Sequence, residues 1–283
     1  METLVVAALQ LALNAPDEAD NIAAVAALVE DAAARGAKIV LPPELFAGPY
    51  FCAVEDEALF ALARPLGESA SVREMQKLAK ALGVAIPTSF FERDRHHYYN
   101  SLAMIDAGGE VLGVYRKSHI PDGPGYEEKF YFRPGNTGFK VWDVCGARIG
   151  VGVCWDQWFP EAARAMALMG AEMLFYPTAI GSEPYDPDFD TSRIWRRAML
   201  GHAASNCLPV ISANRIGVEH GQRFYGHSFI CNQWGDFLAD YGREETGALV
   251  ATLDLAAARR HRAGMGFFRD RRPELYRRLA EDV

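Results

Sequence analysis

The sequence lacks the features that mark several broad classes of protein. Its 29 lysines and arginines are outnumbered by 37 aspartates and glutamates, for a formal net charge of -8. Nucleic acids and anionic membranes require a basic surface, so we expect neither as a partner. The apolar opening METLVVAALQLAL is interrupted by Gln10, is too short to span a bilayer and has no basic n-region of a signal peptide. A small neutral or cationic partner fits these absences better.

Cysteines are few and scattered. They form an odd set with no CxxC pair and no neighbouring run of histidines: Cys52, Cys145, Cys154, Cys207 and Cys231. This spacing predicts neither a disulfide scaffold nor a zinc site. We therefore expect a reducing, cytoplasmic setting.

What is present is the pattern of an α/β protein. Strand-like runs such as TLVVAAL, KIVLPP and VAIPTSFF alternate with helical patterns such as NIAAVAALVEDAAARG and SVREMQKLAKALG. The second half echoes the first in wording. GAKIVLPPEL at Gly36 is similar to GAEMLFYPTA at Gly170, and SLAMIDAGGEV at Ser101 is similar to SFICNQWGDFL at Ser228.

These echoes predict two similar halves, roughly residues 1–120 and 138–255, each a sheet with helices on one face. Packing the two bare faces together gives a four-layer α-β-β-α sandwich in a single domain, residues 1–283. The tail, from about residue 256 to 283, is basic and aromatic, and its final stretch has the pattern of an amphipathic helix. We expect the tail to pack on the body or on a neighbouring subunit.

Cys154 ends an apolar run, ARIGVGV, that is typical of a strand covered on both faces. Pro160 and Glu161 then open an alanine-rich helix, which places Cys154 at a strand-to-helix elbow. Free backbone N–H groups at such an elbow favour the thiolate form of a cysteine. A buried structural cysteine is the alternative interpretation of this residue taken alone.

Two other predicted strands end in charged side chains. Glu44 follows the apolar strand and Pro-Pro stop of IVLPPELF, and Lys117 closes the strand in VLGVYRKSHIP. A cysteine nucleophile needs a base and a positive group where negative charge develops, and these residues are of those types. Alternatively, Glu44 caps local backbone N–H groups and Lys117 is a surface lysine. Neighbouring Arg116 could be the exposed residue instead of Lys117, because adjacent strand residues face opposite ways.

Three segments resemble the signatures of a known family. LPPELF, YRKSHIP…GYEEKFYFRPG and GVGVCWDQWFPE resemble those of the nitrilase superfamily, the carbon-nitrogen hydrolases, and in wording look like its branch that acts on N-carbamoylputrescine. The resemblance covers nearly the whole chain. It implies the same α-β-β-α sandwich, a homo-oligomer, and chemistry that needs no metal or organic cofactor.

The resemblance also implies roles for individual residues. Carried over by position, Glu44 would be the general base, Lys117 the transition-state stabiliser and Cys154 the nucleophile. A second glutamate, which would hold Lys117 and position the substrate, falls on Glu128, with adjacent Glu127 as the weaker match.

The implied reaction is hydrolysis of N-carbamoylputrescine to putrescine, ammonia and carbon dioxide through a covalent cysteine intermediate. The backbone N–H of Trp155 would join Lys117 in stabilising the oxyanion. Alternatives are a sibling enzyme acting on N-carbamoyl amino acids, β-ureido acids or ω-amides, and a catalytically silent binding module. A papain-like pair that uses His119 lacks its flanking pattern here, so His119 is interpreted as a neighbour that shapes the site.

An acidic loop bears on the choice of substrate. The loop AIGSEPYDPDFD follows the strand EMLFYPT and contains no basic residue but four carboxylates: Glu183, Asp186, Asp188 and Asp190. Glu183, closest to the strand end, is predicted to bind an ammonium group at the far end of the substrate. A solvated loop is the alternative, and Arg193 nearby keeps a carboxylate substrate open. Tyr50 and Tyr126 could wall an apolar channel for the methylenes.

Overall fold

The computed structural model describes residues 2–186 and 188–281. Within them the strands are β1 (Thr3–Gln10), β2 (Ile39–Leu41), β3 (Ile86–Asp94), β4 (His97–Ile105), β5 (Val111–Arg116), β6 (Val141–Val144), β7 (Ala147–Val151), β8 (Met173–Thr178), β9 (Val210–Asn214), β10 (Ile216–Glu219), β11 (Gln222–Tyr225), β12 (Phe229–Cys231), β13 (Phe237–Asp240) and β14 (Gly247–Asp254). The helices are α1 (Glu18–Ala34), α2 (Ala70–Leu82), α3 (Glu128–Tyr131), α4 (Pro160–Leu168), α5 (Ser192–Asn206) and α6 (Leu255–Met265).

Two sheet layers have the same strand pattern. One layer joins the ladders β14-β1-β2 and β3-β4-β5 through a parallel bridge between Ile39 and Ala85. The other is the six-stranded ladder β13-β12-β9-β8-β7-β6. In each, three central parallel strands are flanked by antiparallel strands, so β2 corresponds to β8 and the β4-β5 hairpin to β12-β13. These are the segments whose wording is repeated in the sequence.

The core follows from this layering. Alternate strand residues from both sheets meet face to face in one cluster that includes Val6, Leu102, Ile149, Phe175 and Ile211. The other face of the first sheet is covered by α1 and α2, and that of the second by α4 and α5. The predicted α-β-β-α sandwich is therefore confirmed.

Two details differ from the sequence prediction. The last strand of the second half, β14, pairs antiparallel with β1 along its whole length, so it belongs to the first sheet and residues 138–255 are not a self-contained half. In the tail, α6 packs through Leu255 and Ala258, but the predicted final amphipathic helix is replaced by short 3-10 turns, Pro273–Leu275 and Arg277–Ala280. Pro273 lacks a backbone N–H, which disfavours a continuous helix through it.

Candidate active site

The elbow that carries Cys154 is fixed by hydrogen bonds to Asp156. After β7, a 3-10 turn over Cys154–Trp158 leads into α4, and Cys154 has a left-handed φ of 42°. The buried Asp156 Oδ2 accepts the Val153 N–H at 2.9 Å and the Tyr115 hydroxyl at 2.7 Å. Because left-handed backbone is unfavourable for a residue with a Cβ, these bonds help to hold the thiol in place.

His119 lies against this elbow. Its backbone N–H donates to Asp156 Oδ1 at 3.0 Å, and its ring Nδ1 lies 2.7 Å from the same oxygen. The imidazole stacks on Phe159 with ring centroids 3.7 Å apart. His119 therefore contacts Asp156, the residue that holds the elbow, as expected for a neighbour that shapes the site.

Three charged side chains meet at the strand ends beside Cys154. Lys117 Nζ, directly after β5, lies 2.9 Å from Glu44 Oε1 after β2 and 2.7 Å from Glu128 Oε2 at the start of α3. All three side chains are fully buried, whereas Glu127 is only partly buried. Arg116 faces the other way and pairs with carboxylates on β3. The structure thus brings the predicted residues together.

The positive charge of Lys117 lies between two buried carboxylates. Burial by itself would lower the pKa of Lys117, but the Glu128 and Glu44 carboxylates more than offset that effect and hold it well above the ordinary value. Lys117 is therefore a fixed positive charge at any physiological pH. Burial raises the pKa of Glu128, against the opposing effect of Lys117.

The Cys154 thiol differs from the sequence expectation. Burial first, and then the Glu44 carboxylate, raise the pKa of this thiol well above its usual value, while Lys117 lowers it only in part. Its Sγ is placed to donate to the Ala179 carbonyl at 3.8 Å. Desolvation thus outweighs the nearby dipoles and favours the thiol over the thiolate expected from the elbow. A nucleophile of this kind needs a base.

Two residues that the sequence analysis did not identify support Glu44. Asn100 on β4 donates its side-chain N–H to Glu44 Oε1 at 2.7 Å. Arg215, between β9 and β10, donates to the backbone carbonyls of Glu44 at 2.7 Å and Leu45 at 3.0 Å. Arg215 is also paired with Glu219 at 2.7 Å, and both side chains are fully buried.

A cavity of about 420 Å³ opens on Cys154. Its lining comes from the segment after β5, the elbow, the acidic loop and α5, and consists of Pro121, Asp122, Gly123, Pro124, Tyr126, Cys154, Trp155, Trp158, Ile180, Glu183, Tyr185, Phe189, Thr191 and Ile194. Within the part of the chain that the structure describes, this lining includes two carboxylates and neither lysine nor arginine. Such a cavity, largely apolar with two carboxylates on its lining, suits a substrate that carries a positive charge.

Glu183 is the acidic-loop carboxylate on this lining. Burial raises its pKa, and a hydrogen bond with Thr191 opposes that rise. Two side chains hold the backbone of the loop through hydrogen bonds. The Tyr126 hydroxyl accepts the Gly181 N–H at 2.8 Å, and Gln222 donates both to that hydroxyl and to the Ser182 carbonyl. Glu183 therefore stands on a braced segment of backbone.

The other predicted binding residues fall in different places. Trp155 and Tyr126 line the cavity. Tyr50 is fully buried outside that lining, and its hydroxyl donates to Glu128 Oε1 at 2.7 Å. Asp190 of the acidic loop pairs with Arg243 at 2.5 Å. Exposed Arg193 is not part of the lining.

The described residues include no group of three or more His, Cys, Asp or Glu side chains placed to hold a metal ion. Over the same residues, none of the helices combines the length and the apolar character that crossing a bilayer requires.

Comparison with known proteins places this arrangement in a family. Residues 5–263 match the sequence profile described as carbon-nitrogen hydrolase. The chain is 53% identical to an N-carbamoylputrescine amidase of Arabidopsis thaliana, covering 98% of this chain and 95% of the relative, and 51% identical to a citrullinase of Francisella tularensis, covering 98% of both. A crystal structure of a carbon-nitrogen hydrolase from Helicobacter pylori G27 superposes with a TM-score of 0.93 at 37% identity, covering 99% of each chain. The protein belongs to the carbon-nitrogen hydrolase family.

Proposed function

We propose that this protein hydrolyses N-carbamoylputrescine to putrescine, ammonia and carbon dioxide, a step that makes a polyamine. The observation that carries the proposal is the buried cluster of Glu44, Lys117 and Glu128 beside Cys154, at a cavity whose charged lining is carboxylate only. The cluster suits nucleophilic attack on a carbon-nitrogen bond. The lining suits a ureido substrate with an ammonium group at its far end, the substrate named for the Arabidopsis relative.

In the first half of the reaction, Glu44 removes the Cys154 proton and the thiolate attacks the ureido carbon. Lys117 and the backbone N–H of Trp155 stabilise the oxyanion that forms. The bond to the terminal nitrogen then breaks, and Glu44 returns its proton to the leaving ammonia. The product is a thioester between Cys154 and the carbamoyl carbon, still attached to the diamine.

In the second half, Glu44 takes a proton from water, and the resulting hydroxide attacks the thioester carbon. The carbon-sulfur bond breaks and the Cys154 sulfur recovers the proton. The released N-alkyl carbamic acid loses carbon dioxide to give putrescine. Glu128 keeps Lys117 in position through both steps, and the Tyr50 hydroxyl holds Glu128 by a hydrogen bond to its carboxylate.

At the far end of the substrate, Glu183 receives the ammonium group. Tyr126 and Trp155 flank the methylene chain, and Tyr126 also braces the backbone of the acidic loop. Tyr50 contributes through Glu128 and not through the channel wall.

Citrulline is the second candidate, because a citrullinase is 51% identical to this chain. It carries a carboxylate beside its amine, which would meet Glu183 and Asp122 in a lining without a basic partner among the described residues. Like charges disfavour such binding. The test is ammonia release by the purified protein from N-carbamoylputrescine, citrulline and N-carbamoyl-β-alanine at equal concentrations. We expect the carbamoyl amine to be preferred, and a preference for either carboxylate substrate would contradict the proposal.

We also propose that the protein works as a homo-oligomer in the cytoplasm. Five free thiols suit a reducing compartment. The protein has one domain, residues 1–283, whose tail of about residues 256–283 packs in part on a neighbouring subunit. Leu275, Tyr276 and Leu279 in the tail are exposed apolar side chains that a second subunit would cover.

A further inference from the structure

Asn100 occupies a junction between two members of the charged cluster. It lies on β4, the middle strand of the β3-β4-β5 ladder, and is 1% exposed. Its side-chain Nδ2 donates to Glu44 Oε1 at 2.7 Å, and its backbone carbonyl accepts the Lys117 N–H at 2.8 Å. Asn100 therefore positions the Glu44 carboxylate through its side chain and the Lys117 backbone through its own carbonyl.

The two oxygens of the Glu44 carboxylate are not equivalent. Oε1 accepts from both Asn100 and Lys117, whereas Oε2 is buried and has no hydrogen-bond partner within residues 2–186 and 188–281. A carboxylate oxygen that already accepts two donors is a poor proton acceptor, so proton transfer is directed to Oε2. The amide orientation is also determined, because the reverse would set Asn100 Oδ1 against Oε1, two acceptors face to face.

We infer that Asn100 is a positioning residue for the general base: its donated N–H and that of Lys117 occupy Oε1, and this leaves Oε2 as the atom that exchanges protons with Cys154, water and ammonia. The inference rests on the proposed function, because it takes Glu44 as the base. The Asn100 side chain is buried and donates to Glu44, so it acts on the chemistry through Glu44.

Other groups around Glu44 are charged or titratable and must be held constant in any test. They come from β5, α3, the elbow, the loop after β2 and the segment after β9: Lys117, Glu128, Cys154, Tyr50, Cys52 and Arg215. None is changed by a substitution at Asn100. In Asn100→Leu, which adds no titratable group, a change in pH behaviour can therefore be assigned to the lost donor.

The test uses two variants with the same number of side-chain heavy atoms as asparagine, Asn100→Asp and Asn100→Leu, which remove the donor in different ways. We expect kcat to fall about 10- to 100-fold, part of the contribution that a well-placed base makes, with KM within about twofold. In Asn100→Asp the acid limb of the kcat pH profile should move to higher pH, because a second carboxyl beside Glu44 favours the protonated pair. The pH midpoint for alkylation of Cys154 by iodoacetamide should also move to higher pH.

The control is Asn206→Asp, at an equally buried asparagine on α5 whose Oδ1 also has no partner among the described residues. It should lower the melting temperature without moving the pH profile. The inference is overturned if both Asn100 variants keep kcat within twofold and an unchanged pH profile, or if their kcat losses merely follow the fall in melting temperature seen in the control. If Asn100→Asp does not fold, Asn100→Leu decides by its kcat and alkylation profile. If the wild type releases no ammonia from any ureido substrate or amide, the proposed function fails, while the alkylation profile still tests Asn100.

Discussion

Arg215 and Glu219 form a fully buried ion pair, with Nη1 and Oε2 2.7 Å apart, beneath the loop that carries Glu44. The same guanidinium donates to the carbonyls of Glu44, Leu45 and Gly48, and Glu219 accepts the Tyr50 N–H. Leu45 has a left-handed φ of 46°, so this loop is not held by regular secondary structure. The ion pair thus holds the backbone from Glu44 to Tyr50.

Replacing Arg215 by Met should therefore be strongly destabilising. It leaves Glu219 buried without its partner, and breaking a buried pair on one side costs about 3–5 kcal/mol. Urea denaturation measures the loss, and Arg215→Lys should recover only part of it because an ammonium cannot replace all the guanidinium donors. A loss below about 1 kcal/mol would contradict this role.

Replacing Cys154 by Ala or Ser should abolish turnover while the protein stays folded. The side chain supplies the nucleophile, and a serine hydroxyl at this position is much harder to ionise than a thiol. Ammonia release and circular dichroism check the two halves of the prediction. Cys231→Ala, at another buried cysteine on β12 outside the cavity, should keep turnover; activity retained in either Cys154 variant would remove that residue as nucleophile.

Replacing Glu183 by Gln should raise KM for the cationic substrate about 10- to 100-fold, as expected for a hydrogen bond to a charged group, with little change in stability. Asp188→Asn on the same loop is the matched control, since Asp188 is not on the lining, and should leave KM unchanged. An unmoved KM in Glu183→Gln would identify the loop as a solvated surface.

Affinity for the amine should also depend on pH through Glu183. Burial raises the pKa of this carboxyl, so its charge is present above that pKa and is lost as the pH falls through it, at a higher pH than for an exposed glutamate. KM should rise on acidification in the wild type and be flatter in Glu183→Gln. The same slope in both proteins would assign the effect to another group.

Alkylation of Cys154 by iodoacetamide should accelerate with pH, with a midpoint above that of an ordinary thiol, about 8.5. Burial and the nearby Glu44 carboxylate raise the pKa of this cysteine, so the reactive thiolate is scarce at neutral pH. Peptide mass spectrometry resolves Cys154 from the other cysteines. A midpoint below neutrality would show that Lys117 outweighs both effects.

The sequence was sufficient to predict the layers and part of the charged cluster because these are encoded locally, whereas Glu128 was assigned by the family resemblance. The repeated strand wording predicts matching sheets, and Glu44, Lys117 and Cys154 each follow a recognisable apolar strand. Asn100 and Arg215 are different: Asn100 lies within β4 and Arg215 between β9 and β10, and their importance comes from contacts 56 and 171 residues away along the chain. Nothing in their own neighbourhoods indicates those partners.

Two expectations differ from the structure for physical reasons of the same kind. The expectation of a thiolate at Cys154 took account of the backbone dipoles at the elbow but not of the burial that two packed sheets impose. The expectation that Tyr50 lines the channel was based on its aromatic ring. In the structure its hydroxyl donates a hydrogen bond to Glu128 instead. Burial and hydrogen-bond direction are properties of the assembled fold.

The most direct test of the account is intact-protein mass spectrometry of the enzyme quenched during turnover of N-carbamoylputrescine, followed by mapping of the modified peptide. The account predicts an adduct on Cys154 whose mass equals the substrate less one ammonia, because the diamine stays attached until water attacks. An adduct that has already lost the diamine, or turnover with no adduct on Cys154 in wild type or in Glu44→Gln, would contradict it.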